Sequence, residues 1–282
     1  MTACLFCGLG MGGFSVGWAQ HKSNRLEPRF VSSRVPDEAE GRTILQQFRS
    51  LGISGDYFLE FELRVLPRRG ASWVVPGAMW GTRTAAGPLT RVELAADDDP
   101  VERYLIQNGD AGFAWRYRSG QEAAVRELAA SQLMDSMAQT GISVFELQMP
   151  FIYWRDYVFE GTTRLRGRTV HAFLMYPPEE FAATNPGIGG VRLHLDPQYH
   201  ALVQAVILDQ NEIPLRKFTV LDLKKLGDQW IVKSIDVREE ATRDKVRFQV
   251  TGAALRQDFA RGLFEPESLT TDIAEPAMVD RW

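Results

Sequence analysis

The chain has 282 residues, of which 45% are hydrophobic and 24% are charged, and 36 acidic residues against 32 basic ones give a formal net charge of −4. A chain of this length and composition buries a sizeable core and needs neither disulfides nor metal to fold. The composition excludes global disorder, a polybasic nucleic-acid-binding protein and a polytopic membrane protein.

Residues 1–19 form the only long uncharged run of the sequence. The run ends with residues 16–19 (VGWA), which place small side chains at positions −3 and −1 of a cut before Gln20 and predict a Sec-type signal peptide. An uncleaved anchor helix is the alternative, which the many glycines of this run disfavour. Both cysteines, Cys4 and Cys7, lie in this run, so cleavage leaves no thiol. We therefore expect an exported, periplasmic protein.

A helix is predicted over residues 37–51, where apolar residues recur every three or four positions between Pro36 and Gly52. From Tyr57 to Val65 apolar and charged residues alternate, which predicts a strand with one buried face. In the strand at 113–118, Phe113 and Trp115 share one face, which we predict to be the inner one. The predicted strands of this first region are 57–65, 73–84, 89–95, 104–107 and 113–118.

Residues 119–155 interrupt the strand pattern. Ser143 and Glu146 form a capping box, so a short helix is predicted to begin at Val144, and it must end by Pro150. Most residues of the segment 141–154 are large and apolar. A short hydrophobic helical insert between two strand regions predicts a lid over the concave side of the sheet.

A second strand region follows, and its short connections predict an antiparallel meander. The predicted strands are 157–166, 169–176, 190–195, 200–208, 213–226, 229–238 and 244–251. Residues 266–282 are acidic and without periodicity, so we predict a mobile tail after a domain at 30–265.

The sequence contains no nucleophile elbow, zinc-protease motif, phosphate-binding loop or dinucleotide fingerprint. We therefore predict no catalytic residues, no metal site and no cofactor. Three histidines, His171, His194 and His200, lie in the second strand region, but no carboxylate stands beside them at ligand spacing. Carboxylates on separate strands can still converge for glycoside hydrolysis, so an envelope β-sandwich hydrolase acting on a glycan is the alternative function.

The lid and the strands after it resemble the LolA/LolB-like outer membrane lipoprotein-sorting proteins. The resemblance lies in residues 146–154 (ELQMPFIYW), 161–177 and 191–250, where 223–230 (LKKLGDQW) leads into 235–238 (IDVR). It implies a mainly β (α+β) fold: an unclosed antiparallel half-barrel of about eleven strands, with short lid helices on the concave side and, in this chain, an N-terminal helix. It also implies an apolar cavity for lipoprotein acyl chains and an arginine that locks the lid, which is not placed in this chain because the early strands do not match well enough.

We therefore predict a periplasmic carrier or sorting protein, not an enzyme, that holds acyl chains in an apolar cavity under the lid. A chain of ~16 carbons costs on the order of 10 kcal/mol to expose to water, so the cavity must offer comparable apolar cover. The predicted partners are lipoprotein acyl chains or another lipid, and membrane-anchored donor or acceptor proteins. We expect no nucleic acid and a monomeric chain. A lipid-sensing regulatory module on the same fold is a second alternative. The predicted cavity and lid residues are Phe61, Leu63, Phe113, Trp115, Leu133, Met134, Met137, Phe145, Leu147, Phe151 and Trp154.

Overall fold

The structure is a computed structural model that describes residue 26 and residues 35–95, 100–109 and 112–282. The predicted signal peptide lies outside the described residues. A single antiparallel sheet of 14 strands dominates the fold. The strands are β1 Asp56–Leu66, β2 Trp73–Thr84, β3 Gly87–Leu94, β4 Glu102–Gln107, β5 Phe113–Arg118, β6 Arg126–Glu127, β7 Tyr157–Leu165, β8 Arg168–Met175, β9 Gly190–Leu195, β10 Leu202–Leu208, β11 Pro214–Leu226, β12 Gln229–Glu239, β13 Lys245–Gln257 and β14 Asp280–Arg281.

Within the described residues, helical segments are few and short. The α-helices are α1 Glu38–Ser50, α2 Val144–Gln148 and α3 Glu179–Thr184, and the 3₁₀ turns are Ala130–Met134, Pro150–Tyr153, Arg261–Phe264 and Pro266–Thr270. No helix of the described ranges is both long enough and apolar enough to cross a membrane.

The strand order shows two meanders that meet at β1. The chain runs outward from β1 to β6, crosses to the opposite edge at β7, and returns strand by strand to β13, which pairs with β1. β6 and β7 form the two edges and do not pair, so the sheet is an unclosed half-barrel, as predicted. The strand count is higher than the predicted eleven. β6 and β14 contribute two residues each, too few for any alternation to show in the sequence.

The inner face of the sheet carries the main hydrophobic core. On β1 the predicted alternation is confirmed: Leu59, Phe61, Leu63 and Val65 are all buried in this core. Phe58 points to the outer face, where its ring lies 5.2 Å from that of Trp80. β1 is therefore covered on both faces, as its central position in the sheet requires.

Helix α1 packs on edge strand β7 and helps to close the core. Asp37 caps its first turn by accepting a 2.8 Å hydrogen bond from Ala39 N. Ile44 and Leu45 are buried in the main core. Gly41 lies so close to β7 that a Cβ atom there would be 2.6 Å from the Cβ of Phe159. Only glycine permits this approach between helix and strand.

Residues 259–282 are packed on the sheet, in contrast to the predicted mobile tail. Leu269 is fully buried on the outer face with Leu89 and Leu105. The buried guanidinium of Arg91 donates hydrogen bonds to Ser268 O at 2.6 Å and to Thr271 O at 2.8 Å. β14 adds two residues beside β13. A few buried side chains and arginine contacts from distant strands fix this segment, and neither leaves a periodic trace in the sequence.

Candidate functional site

The candidate site is the concave inner face of the sheet, here called the hollow, together with residues 130–154, here called the lid. The lid folds locally as the sequence predicts. Ser143 Oγ accepts a hydrogen bond from Glu146 N at 3.3 Å, and Glu146 Oε2 accepts one from Ser143 N at 2.9 Å. Met149 then ends α2 in the left-handed conformation, with φ +49°, and Pro150 begins the next 3₁₀ turn.

Aromatic side chains of the lid fill the hollow. Phe145 and Phe151 are fully buried, and their ring centroids are 5.7 Å apart. Phe151 also lies 6.0 Å from Phe218 on the inner face of β11. Phe145 stacks on Phe181 of α3 at 4.9 Å, and Trp154 lies 5.4 Å from the same ring. The lid and α3 therefore share one aromatic cluster that occupies the concave side.

Arg49, in the last turn of α1, holds the end of the lid. Its Nε donates to Ile152 O and its Nη2 to Trp154 O, each at 2.7 Å. Both bonds have the charged guanidinium as donor and are therefore stronger than hydrogen bonds between neutral groups. The sequence pattern indicates only that Arg49 faces away from the apolar stripe of the helix. No local signal connects it to residues about a hundred positions later in the chain.

Arg216 of β11 holds the middle of the lid. It forms an ion pair with the buried carboxylate of Glu146, and its Nη2 donates to Gly141 O at 2.9 Å. Its Nη1 lies 3.3 Å from Glu239 of β12. Burial raises the pKa of Glu146, and the positive charge of Arg216 opposes part of that rise.

The opposite wall of the hollow also contacts the lid through polar groups. Gln148 Nε2 donates to Gln107 O at 2.6 Å, and Asn108 Nδ2 donates to Gln148 O. Glu102 of β4 accepts a 2.9 Å hydrogen bond from Ala138 N. Strands β4 and β11 and helix α1 therefore each supply directional polar contacts to the lid.

Two small cavities flank the lid. One of about 180 Å³ lies between the first strands and α2, and its lining is Tyr57, Met79, Pro88, Thr90, Val92, Ile106, Asn108, Leu147 and Gln148. The other has a volume of about 240 Å³, and its lining is Pro100, Glu102, Arg118, Gln121, Ser136, Ala138 and Gln139. Both are smaller than the roughly 300–1,000 Å³ typical of ligand pockets. The concave side of the sheet is therefore filled by side chains of the chain itself.

Most of the predicted cavity and lid residues come together in the hollow. Phe61, Leu63, Met137, Phe145, Phe151 and Trp154 are buried in the main core, and Leu133, Met134 and Leu147 pack against it partly buried.

Phe113 and Trp115 are not part of this group. Trp115 pairs with Leu105 across β4 and β5 and packs on the outer face beside Leu269. Phe113 lies on the same side of β5 and is 38% exposed. The inner face of β5 instead carries Ala114, which is buried in the main core. The prediction that Phe113 and Trp115 face inward is therefore wrong, because the segment 266–270 covers this side of β5 from outside.

The described residues give little support to a hydrolytic site or to a metal site. Glu102 is the one carboxylate in the linings of the two cavities, and it is paired with Arg118 at 2.9 Å. No cluster of three or more metal-ligating side chains occurs in the part of the chain that the structure describes. Of the three strand histidines, His194 is buried, and burial with the nearby charge of Arg192 lowers its pKa to about 4.

No family model matches the chain. No curated protein sequence matches it either. Solved structures do match over most of the chain.

A putative outer membrane lipoprotein-sorting protein domain from Vibrio parahaemolyticus gives a TM-score of 0.72 at 15% identity, covering 83% of this chain and 100% of its own. A DUF1329 family protein from Desulfovibrio piger gives 0.71 at 13% identity, covering 82% and 98%. A LolA superfamily protein from Nitrosomonas europaea gives 0.62 at 9% identity, covering 79% and 96%. The chain therefore has the fold of LolA-superfamily and outer membrane lipoprotein-sorting domains, which confirms the predicted fold.

Proposed function

We propose that the protein is a periplasmic carrier or sorting protein for lipid or lipoprotein acyl chains, and that it binds them in the hollow once the lid has moved aside. The proposal rests on one observation, namely which segment of the chain supplies the aromatic side chains that fill the hollow. Phe145, Phe151 and Trp154 come from a short insert rather than from the sheet, and the insert is fastened to the walls by polar contacts. A lid of this kind can leave without breaking the sheet.

The free energy gained by burying the lid aromatics is comparable to the free energy gained by burying an acyl chain. Each aromatic side chain buries roughly 150–250 Å², so three of them gain about 10–20 kcal/mol at about 25 cal/mol per Å². A chain of ~16 carbons gains on the order of 10 kcal/mol when it leaves water. As far as apolar burial is concerned, an acyl chain can therefore replace the lid aromatics on the inner face at little net cost. The polar contacts of Arg49 and Arg216 add to the cost of opening the lid. Near-balance of this kind is what a carrier needs, because it must both accept and release its cargo.

The location of the lid supports the same proposal. The connection that carries the lid links the two edges of the half-barrel, β6 and β7, and so crosses the open side of the sheet. Leu133, Met134 and Leu147 lie partly buried at the border between lid and core. Methionine side chains adapt to guests of varied shape, which suits a site for flexible acyl chains.

The test is lipid binding by the purified protein, with the lid as reporter. We expect lipid to co-purify in amounts that mass spectrometry detects, and a fluorescent fatty acid to bind and to be displaced by palmitate. Because Trp154 is 6% exposed in the closed form, its emission should shift to longer wavelength as the lid opens. The Trp154→Phe variant is the control, and in it that shift should be absent while binding persists. Absence of both co-purified lipid and probe binding would contradict the proposal.

A further inference from the structure

The paired outer ends of β11 and β12, residues 221–233, are here called the ribbon. β12 pairs with β13 from Ser234 to Arg238, whereas its earlier residues 229–232 pair with β11. Past Gln249, β13 instead continues beside β1 and takes β14 as its other neighbour. The ribbon is therefore a two-stranded extension at one end of the half-barrel, with its turn at Gly227.

The ribbon exposes large apolar side chains. Trp230 is 58% exposed, Leu221 is 43% exposed and Leu223 is 36% exposed. Ile231, by contrast, is buried in the main core, so the ribbon is anchored on one side. An isolated exposed leucine needs no explanation, but a tryptophan and two leucines on one short hairpin form a patch that favours contact with another surface.

The charges on the ribbon are unevenly compensated. Asp222 pairs with Lys233 at 3.5 Å, and Asp228 pairs with Arg256 at 2.6 Å. Lys224 and Lys225 have no ion pair with any residue that the structure describes. Lys224 Nζ lies 4.1 Å from the ring centroid of Trp282. In the strand register Lys225 lies opposite the exposed Trp230, whereas the partly buried Lys224 lies opposite Ile231. The two lysines therefore lie on opposite faces near the turn of the ribbon, and no described carboxylate pairs with either of them.

We propose that the ribbon docks the protein on the surface of a bilayer that contains anionic lipid. Tryptophan favours the boundary between headgroups and acyl chains, and leucine reaches just below it. Lysines beside such an anchor keep their ammonium groups at the headgroup level and are attracted to anionic lipid. A protein partner fits less well, because lysine is depleted at the centre of protein–protein interfaces. Docking through the ribbon is a separate property from lipid uptake in the hollow.

The test is co-sedimentation of the protein without its predicted signal peptide (residues 20–282) with vesicles of phosphatidylglycerol and phosphatidylethanolamine, compared with vesicles of phosphatidylcholine. We expect binding to the anionic vesicles that weakens as salt is added. At about 1 kcal/mol per lysine, Lys224→Gln with Lys225→Gln should weaken binding about 30-fold. Trp230→Ser should weaken it on both kinds of vesicle. The matched control is Arg166→Gln with Arg168→Gln, which removes the same charge from the β7–β8 turn and should leave binding unchanged.

Equal binding by wild type and the lysine variant, equal loss in the arginine control, or no preference for anionic vesicles would each overturn the docking proposal. Quenching of Trp230 by lipids brominated on the acyl chain gives a second readout, expected in wild type and lost in Trp230→Phe. Fluorescent fatty acid binding by the ribbon variants separates the two proposals. Fatty acid binding should stay at the wild-type level in the ribbon variants, because the ribbon only docks the protein. If fatty acid binding is lost together with vesicle binding, both assays report the same lipid site, and a separate docking role for the ribbon is wrong.

Discussion

Replacing Arg49 by methionine removes the two hydrogen bonds between α1 and the end of the lid while keeping a long side chain and a good helix former. Hydrogen bonds to charged groups contribute about 1.5–3 kcal/mol each. We take the lower value for both bonds because Arg49 is only half-buried. The variant should therefore lower the stability of the closed lid relative to the open one by about 3 kcal/mol. The open fraction should therefore rise about 100-fold.

Hydrogen exchange detects this change directly. The amide of Ile152 donates to Met149 O, and the amide of Trp154 to Phe151 O, so both are protected only while the lid keeps its fold. We expect both amides to exchange about 100-fold faster in Arg49→Met, with the amides of β13 unchanged. Arg42→Met is the matched control, because Arg42 lies on the exposed side of the same helix. Unchanged exchange in Arg49→Met would refute the view that this arginine holds the lid.

Three further predictions concern stability. Because the folded-state pKa of His194 is lowered to about 4, the folded protein binds fewer protons than the unfolded chain between pH 6.5 and 4, and stability should fall by up to about 3 kcal/mol across that window. Urea unfolding at both pH values should show this loss in wild type and a smaller one in His194→Gln. Leu269→Ala should lower the free energy of unfolding by about 2–5 kcal/mol, because Leu269 is fully buried. Phe113→Ala, at a half-exposed site, is the control, and a smaller loss of stability in Leu269→Ala than in this control would disprove the packing of residues 266–270. Gly41→Val should lower the melting temperature clearly, since its Cβ would overlap Phe159, and normal melting would show that α1 does not pack on β7 as described.

Local patterns were enough to predict most of the sheet. In β1, side chains that face the core alternate with side chains that face outward, and this alternation predicts the strand. The turns between successive strands are too short for parallel crossovers, so the sequence also predicts an antiparallel meander. The capping box of Ser143 and Glu146 likewise depends on residues three positions apart, and the structure reproduces it. These features are encoded within a few residues of each other, which is why the sequence reveals them.

The features that sequence analysis missed depend on long-range contacts. Which face of β5 points inward is decided by residues 266–270, which cover Trp115 from outside. Arg49 and Arg216 each contact lid residues many positions away along the chain. Alternation specifies that a strand has two different faces, but only the packing of distant segments specifies which face the core uses. The lid anchors could not be predicted for the same reason.

The seam between β1 and β13 imposes an order on assembly. Each meander forms from hairpins between adjacent strands, but the seam joins Leu66 to Lys245 and Asp56 to Gln257, near opposite ends of the described chain. Closing so large a loop is entropically costly and slows folding. A chain that emerges from its amino end leaves one edge of β1 unpaired until β13 arrives, and an unpaired hydrophobic edge invites aggregation. The seam should therefore be the last part of the sheet to form, after both meanders have folded.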